Sequence, residues 1–170
     1  MYQRILVALG EEAAINQKVL SEATAIAQAT QATLNLLHVL FPPNAGFPDP
    51  VYLTADGMHS TVTTESFQLY MSEWQTLQHT NQQALDAQAN QLSTQGIAAE
   101  WTQAVGDPGR QICKISKDWN ADLIILGRRG RIGLGEFFLG SVSNYVMHHS
   151  PCSVIAVQGL KDAATQTLTP

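Results

Sequence analysis

The chain of 170 residues has no lysine or arginine between Lys18 and Arg110, and its 9 cationic side chains face 14 acidic ones. Binding to duplex nucleic acid or to an anionic membrane needs many cations spread over one face, because each neutralised phosphate adds to the affinity. This composition therefore argues against both partners. Three of the cations, Arg128, Arg129 and Arg131, lie close together. They are sufficient for one small anion site.

Long apolar runs and cysteine are equally scarce. No run approaches the ~20 residues of a membrane-spanning helix. The apolar stretch near the N-terminus is shorter than the roughly 7–15 residues of a signal-peptide core. The two cysteines, Cys113 and Cys152, are far apart and form no CxxC motif. We expect a cytoplasmic protein with two free thiols, and a disulfide between them is the alternative.

Apolar runs alternate with helix-forming segments along the chain. The runs cover residues 5–9, 34–40, 97–103, 121–127 and 152–157, and helical patterns cover 11–31, 64–93, a segment starting at 108, and 140–149. Apolar runs without alternation are typical of strands buried on both faces. The order predicts a single-domain, Rossmann-like α/β fold: an open parallel five-stranded sheet with helices on both faces. Ligands of such sheets bind beyond the carboxyl ends of the strands.

Two segments fall outside this alternation. Residues 41–62 begin with four prolines in ten residues, which excludes regular structure there, so we predict an irregular insert loop. Residues 159–170 are a mostly polar C-terminal tail, which leaves a domain of residues 1–158. The stretch 41–95 is acidic and free of cations, and it suits a docking surface for a protein partner.

The segment 127–141 carries the most chemistry. It follows a predicted strand directly, contains five glycines and three arginines, and ends in Gly140-Ser141 at a predicted helix start. Glycine lets the backbone approach an anion, and the start of a helix offers unpaired N–H groups and a positive dipole end. Ser141 and Ser143 can add hydroxyl donors. A phosphate-binding loop is the favoured interpretation, and a surface loop turned by its glycines is the alternative.

The spacing Gly127-x2-Gly130-x9-Gly140-Ser141 resembles the ATP-binding-type motif of the universal stress protein family. The flanking strand 121–127, the segment 146–157 and the turn 106–108 also look like that family. The resemblance implies an adenine nucleotide alpha hydrolase-like fold, a homodimer through the last strand (residues 152–157), and a bound adenine nucleotide such as ATP, AMP or cyclic AMP. Mg²⁺ could arrive with the nucleotide.

The resemblance also implies where the nucleotide binds. Val39 would contact adenine through its backbone, Leu126 would lie beside the base or ribose, and the glycine loop with the helix start would hold ribose and phosphates. The full set of expected nucleotide-binding residues is Leu9, Gly10, Val39, Leu126, Gly127, Arg128, Arg129, Gly130, Arg131, Gly140, Ser141, Val142 and Ser143.

One position departs from the family pattern. Gly10 stands where ATP-binding members usually carry Asp, and Glu11 could substitute with a longer reach, or the backbone alone could hold the base. His38, within a predicted buried strand, is interpreted as a core histidine with satisfied hydrogen bonds. The histidines and cysteines lack zinc-ligand spacing, and no catalytic motif is evident.

Three functions follow in order of preference. The first is a nucleotide-sensing stress protein that signals through its dimer or partners. The second is a nucleotide-free interaction protein of the same fold. The third is a slow ATPase, for which the arginines could stabilise charge although nothing evident orients a water.

Overall fold

The structure is a computed structural model, and it describes residues 1–41, 64–128 and 140–158. Within these residues, strands and helices alternate as the sequence predicts. The strands are β1 (Arg4–Leu9), β2 (Thr33–Leu40), β3 (Ala99–Val105), β4 (Leu123–Arg128) and β5 (Ser153–Gln158). The helices are α1 (Ala13–Thr30), α2 (Thr64–Thr94), α3 (Pro108–Asp118) and α4 (Ser141–His149). The strands form one parallel sheet in the order β3-β2-β1-β4-β5, which confirms the predicted fold class.

The sheet is buried between two apolar layers. Ile5 and Val7 of β1 pack into a cluster with α1 and α2, whereas Leu6 and Ala8 pack into a second cluster with α3 and α4. Successive side chains of a strand point to opposite faces, so a strand covered on both faces needs apolar residues at every position. This double burial explains the continuous apolar runs of the sequence.

Local signals fix the start of α3. The Asp107 carboxylate accepts a hydrogen bond from the Arg110 N–H at 2.9 Å, and Pro108 occupies the first helical position. This is the predicted arrangement, in which Asp caps the helix and proline begins it. Helix α1 is closed by the residue that follows it, Gln31, which adopts a left-handed conformation with φ of 58° and donates its N–H to the Ala27 carbonyl.

Several element bounds differ from the prediction. Strand β3 was expected at 97–103 and covers Ala99–Val105. Its start is later because the Ile97 N–H donates to the Leu92 carbonyl of α2, so Ile97 belongs to the end of that helix. Strand β4 starts at Leu123, since the side chain of the preceding Asp122 accepts from the Gln3 N–H at 2.7 Å. Strand β5 and helix α4 each begin one residue later than expected, and α1 lies inside its predicted range. The predicted insert loop, apart from Phe41, and the tail lie outside the described residues.

Cys113 and Cys152 are free thiols, each partly buried against the second apolar cluster. Burial raises the pKa of both thiols above the ordinary value. Across the described parts of the chain we find no grouping of three or more His, Cys, Asp or Glu side chains suited to a metal ion. No helix in those parts has the length and apolarity needed to cross a membrane.

Candidate functional site

The strand order places a crevice at the carboxyl edge of the sheet, between β1 and β4. Strands β2 and β3 lie on one side of β1, and β4 and β5 lie on the other. The loops after β1 and β4 therefore lead to helices on opposite faces, and the point where they separate is where doubly wound sheets bind ligands. The register pairs Ala8 with Leu126, so the expected site residues Leu9, Gly10, Gly127 and Arg128 converge at this edge.

The turn after β1 is held by an asparagine that the sequence reading missed. Asn16 Oδ1 accepts from the Gly10 N–H at 2.9 Å, and Asn16 Nδ2 donates to the Gly10 carbonyl at 2.8 Å. Both backbone groups of Gly10 are thus committed within the protein. A Cβ built on Gly10 would meet no atom of the described residues within 4 Å, so that part of the chain leaves room for a side chain here.

Gly127 is required by packing. A Cβ at this position would overlap Ile15 Cγ2, because α1 packs directly on the end of β4. The face of Gly127 toward α1 is therefore filled by protein, and a ligand could contact this residue only through its backbone. The glycine that opens the motif has a structural reason independent of any ligand.

The cations that the structure describes near this edge lie toward β5. The Arg128 Nη2 donates to Gln158 Oε1 at 2.6 Å, and Lys18 Nζ lies 3.4 Å from the Gln158 carbonyl oxygen. Both partners are uncharged, so neither positive charge is neutralised by these contacts. Lys18 was not predicted, because only the fold brings α1 beside the end of β5. Arg129, Gly130 and Arg131 lie outside the described residues.

The start of α4 offers backbone donors. Gly140 precedes the helix, and no side chain caps it among the described residues. The first-turn N–H groups of a helix lack intrahelical acceptors, and the dipole there favours an anion. Ser141 is exposed, and Val142 packs partly against the second apolar cluster. Ser143 is buried, and its hydroxyl donates to the Gly140 carbonyl at 3.0 Å, so it fixes the turn.

At the other end of the crevice, β2 ends beside β1. Val39 is half-buried and pairs with Ala104 of β3. His38 precedes it, pairs with Leu9 in register, and has a buried Nδ1 with no hydrogen-bond partner in the described part of the chain. The expectation of a fully hydrogen-bonded core histidine was therefore wrong. Burial lowers the pKa of His38 below its ordinary value, and the negative charge of Glu11 opposes this shift without reversing it.

The fold and this edge together define an open, doubly wound α/β protein with a helix start beside its central crevice that no described side chain caps. Residues 1–158 match the sequence model of the universal stress protein family, and the chain belongs to that family. The universal stress protein Sll1388 of Synechocystis sp. is 37% identical over 157 residues, which cover 92% of this chain and 98% of the relative.

Solved structures share the fold. The universal stress protein UspA from Lactobacillus plantarum superposes with a TM-score of 0.67 at 25% identity, covering 92% of this chain and 97% of that one. A universal stress protein family protein from Arabidopsis thaliana, with AMP bound, has a TM-score of 0.59 at 17% identity and coverage of 97% of both chains. A universal stress protein in complex with cAMP has a TM-score of 0.58 at 20% identity, covering 94% and 98% of the two chains.

Substitution of Gly127 tests the packing explanation. We expect Gly127→Ala to destabilise the protein by about 1–3 kcal/mol, because the new methyl group overlaps Ile15. Gly10→Ala is the matched control and should change stability by less than about 0.5 kcal/mol, since its methyl group meets open space. Urea unfolding measures both. Combining Gly127→Ala with Ile15→Ala should destabilise less than the sum of the single changes. Wild-type stability of Gly127→Ala would contradict the explanation.

Proposed function

We propose that this protein binds an adenine nucleotide in the crevice between β1 and β4. It signals to partners whether the nucleotide is bound, during a stress response in the cytoplasm. The phosphates bind at the start of α4 and on the loop that begins at Gly127. The base and sugar lie over the ends of β1 and β2, where Val39 contacts adenine through its backbone. Mg²⁺ accompanies the phosphates when the nucleotide carries it.

The observation that carries this proposal is the uncapped start of α4 at the carboxyl edge of the sheet. No side chain in the described part of the chain accepts from its first-turn N–H groups, and an anion at this position would supply an acceptor. Two further facts support an adenine nucleotide in particular. The motif Gly127-x2-Gly130-x9-Gly140-Ser141 is present in full. Two proteins of the family that share this fold have been solved with a nucleotide, one with AMP bound and one in complex with cAMP.

Titration calorimetry with ATP, AMP and cyclic AMP tests nucleotide binding. We expect a heat signal for at least one nucleotide, and Gly140→Val should weaken that binding at least about tenfold, because a β-branched side chain would come between the α4 amides and the phosphates. Circular dichroism establishes that the variant is folded. Absence of binding heat for all three nucleotides, at high concentrations of folded wild-type protein, would refute the proposal.

Gly10 offers a gain-of-function test. ATP-binding members of the family usually have Asp at this position, and the space around Gly10 is open. We expect Gly10→Asp to raise the affinity about three- to tenfold, because a carboxylate can accept hydrogen bonds from ribose or base. Gly10→Asn is the matched control for charge, and calorimetry with the best-bound nucleotide is the measurement. Unchanged or weaker binding of Gly10→Asp would show that the nucleotide does not approach this turn.

A homodimer through β5 is part of the proposal. Strand β5 is an edge of the sheet, and its Ile155 and Val157 are only partly covered by the first apolar cluster. An exposed apolar edge strand favours pairing with another strand, and a second copy of β5 supplies one. We expect light scattering at micromolar concentration to give twice the 18.5 kDa mass of one chain. A monomer mass would contradict the strand-paired dimer.

One observation favours a nucleotide-free interaction protein as the second candidate. Helix α2 exposes Leu69 by 60% and Leu77 by 44%, which is apolar surface suited to a protein partner. This candidate also accommodates the missing carboxylate at Gly10. The calorimetry described above separates the two functions, because the interaction protein would show no heat with any nucleotide.

A further inference from the structure

His38 lies where the proposed base and sugar would bind. It is near the carboxyl end of β2, between Leu9 of β1 and Gln103 of β3 in register. Side chains at these paired positions share one face of the sheet. The turn that carries Gly10 and Glu11 follows Leu9 directly. His38 is therefore beside the crevice, although its ring is not one of the groups that the family motif marks.

The imidazole has an unused hydrogen-bonding atom. Its Nδ1 is buried without a partner in the described part of the chain. Neighbouring polar groups are already engaged: the Gly10 backbone bonds to Asn16, and Gln103 Nε2 donates to the Gln78 carbonyl at 3.2 Å. A buried polar atom without a partner is destabilising, so native proteins rarely leave one unpaired. The His38 residue as a whole is only half-buried, and a ligand group brought within hydrogen-bond distance of Nδ1 would remove the penalty.

The charge around His38 restricts what that group can be. Burial keeps the ring neutral near pH 7, and the Glu11 carboxylate adds negative potential. A neutral ring beside a carboxylate does not attract a phosphate. A neutral ring with hydrogen on Nε2 presents Nδ1 as an acceptor, which matches an uncharged donor. A nucleotide has two such donors away from its phosphates, the amine of the base and the ribose hydroxyls.

We propose that His38 determines ligand specificity by accepting, at Nδ1, a hydrogen bond from an uncharged donor of the bound nucleotide. This inference rests on the proposed nucleotide function and assigns one residue to the recognition of its uncharged half. In ITP a carbonyl oxygen of the base replaces the amine of adenine, and in each deoxy-ATP one ribose hydroxyl is missing. Each analogue therefore removes one of the two candidate donors.

Calorimetry of wild type, His38→Leu and His38→Asn with ATP, ITP, 2′-deoxy-ATP and 3′-deoxy-ATP tests the proposal. Wild type should bind ATP about tenfold more tightly than the analogue that lacks the donor, because that analogue leaves Nδ1 unpaired. His38→Leu should reduce this ratio to near one. His38→Asn, whose amide oxygen can take the place of Nδ1, should restore part of the ratio. The analogue whose ratio changes identifies base or ribose as the source of the donor.

Two controls keep a structural role of His38 distinguishable from recognition. His79→Leu removes an exposed histidine of α2 that bonds to Gln83, and it should leave every ratio unchanged. His38→Leu should unfold at a temperature equal to or above that of wild type, because it replaces an unpaired polar ring with an apolar side chain. If His38→Leu discriminates among all the analogues as well as wild type does, the role of His38 is overturned and the nucleotide function is not. Failure of folded wild type to bind ATP would overturn the nucleotide function together with it.

Discussion

The central position of β1 is the constraint on which the site depends. Because β2 pairs with one edge of β1 and β4 with the other, the chain must leave β1 in one direction and return on the opposite side. Crossover connections in parallel sheets are right-handed, so this reversal places α1 and α2 on one face and α3 and α4 on the other. The loops after β1 and β4 diverge for the same reason. The crevice between them is a consequence of chain topology, and the complete burial of Ile5, Leu6 and Val7 holds it in place.

Three glycines at this crevice lie in three different surroundings. Gly127 makes room for Ile15 of α1, and Gly140 precedes a helix whose first amides no described side chain caps. Gly10 has open space where a Cβ would point, so no steric requirement for glycine is visible there. A pattern of glycine spacing records all three positions alike. Only the packing around each glycine separates a structural requirement from a binding one, and for Gly127 the packing against Ile15 gives a structural one.

The sequence was sufficient for the sheet because double burial leaves a direct signal, a run of apolar residues at consecutive positions. It was also sufficient for the start of α3, where Asp107 and Pro108 act on neighbouring backbone groups. Contacts between distant segments could not be predicted. The hydrogen bonds of Asn16 to Gly10 join residues six positions apart, and the hydrogen bond of Lys18 to Gln158 joins residues 140 positions apart. Such pairs depend on how α1 lies over the sheet, which no local pattern records. The buried nitrogen of His38 was missed because burial alone suggested a satisfied core residue.

The distribution of charge along the crevice gives the proposed ligand one favourable orientation. Lys18 and Arg128 lie near the end of β5, where both hydrogen-bond to neutral oxygens of Gln158. Glu11 lies at the other end, near a histidine that burial keeps neutral. A molecule with one anionic and one uncharged end is attracted when its anionic end lies beside Lys18 and Arg128. In the reverse orientation its anionic end would be repelled by Glu11. The long segment without cations, residues 19–109, includes β2 and β3 on the uncharged side. The uneven distribution of cations along the sequence thus becomes an uneven distribution of charge across the crevice. It favours a small anion bound in one orientation over an extended polyanion.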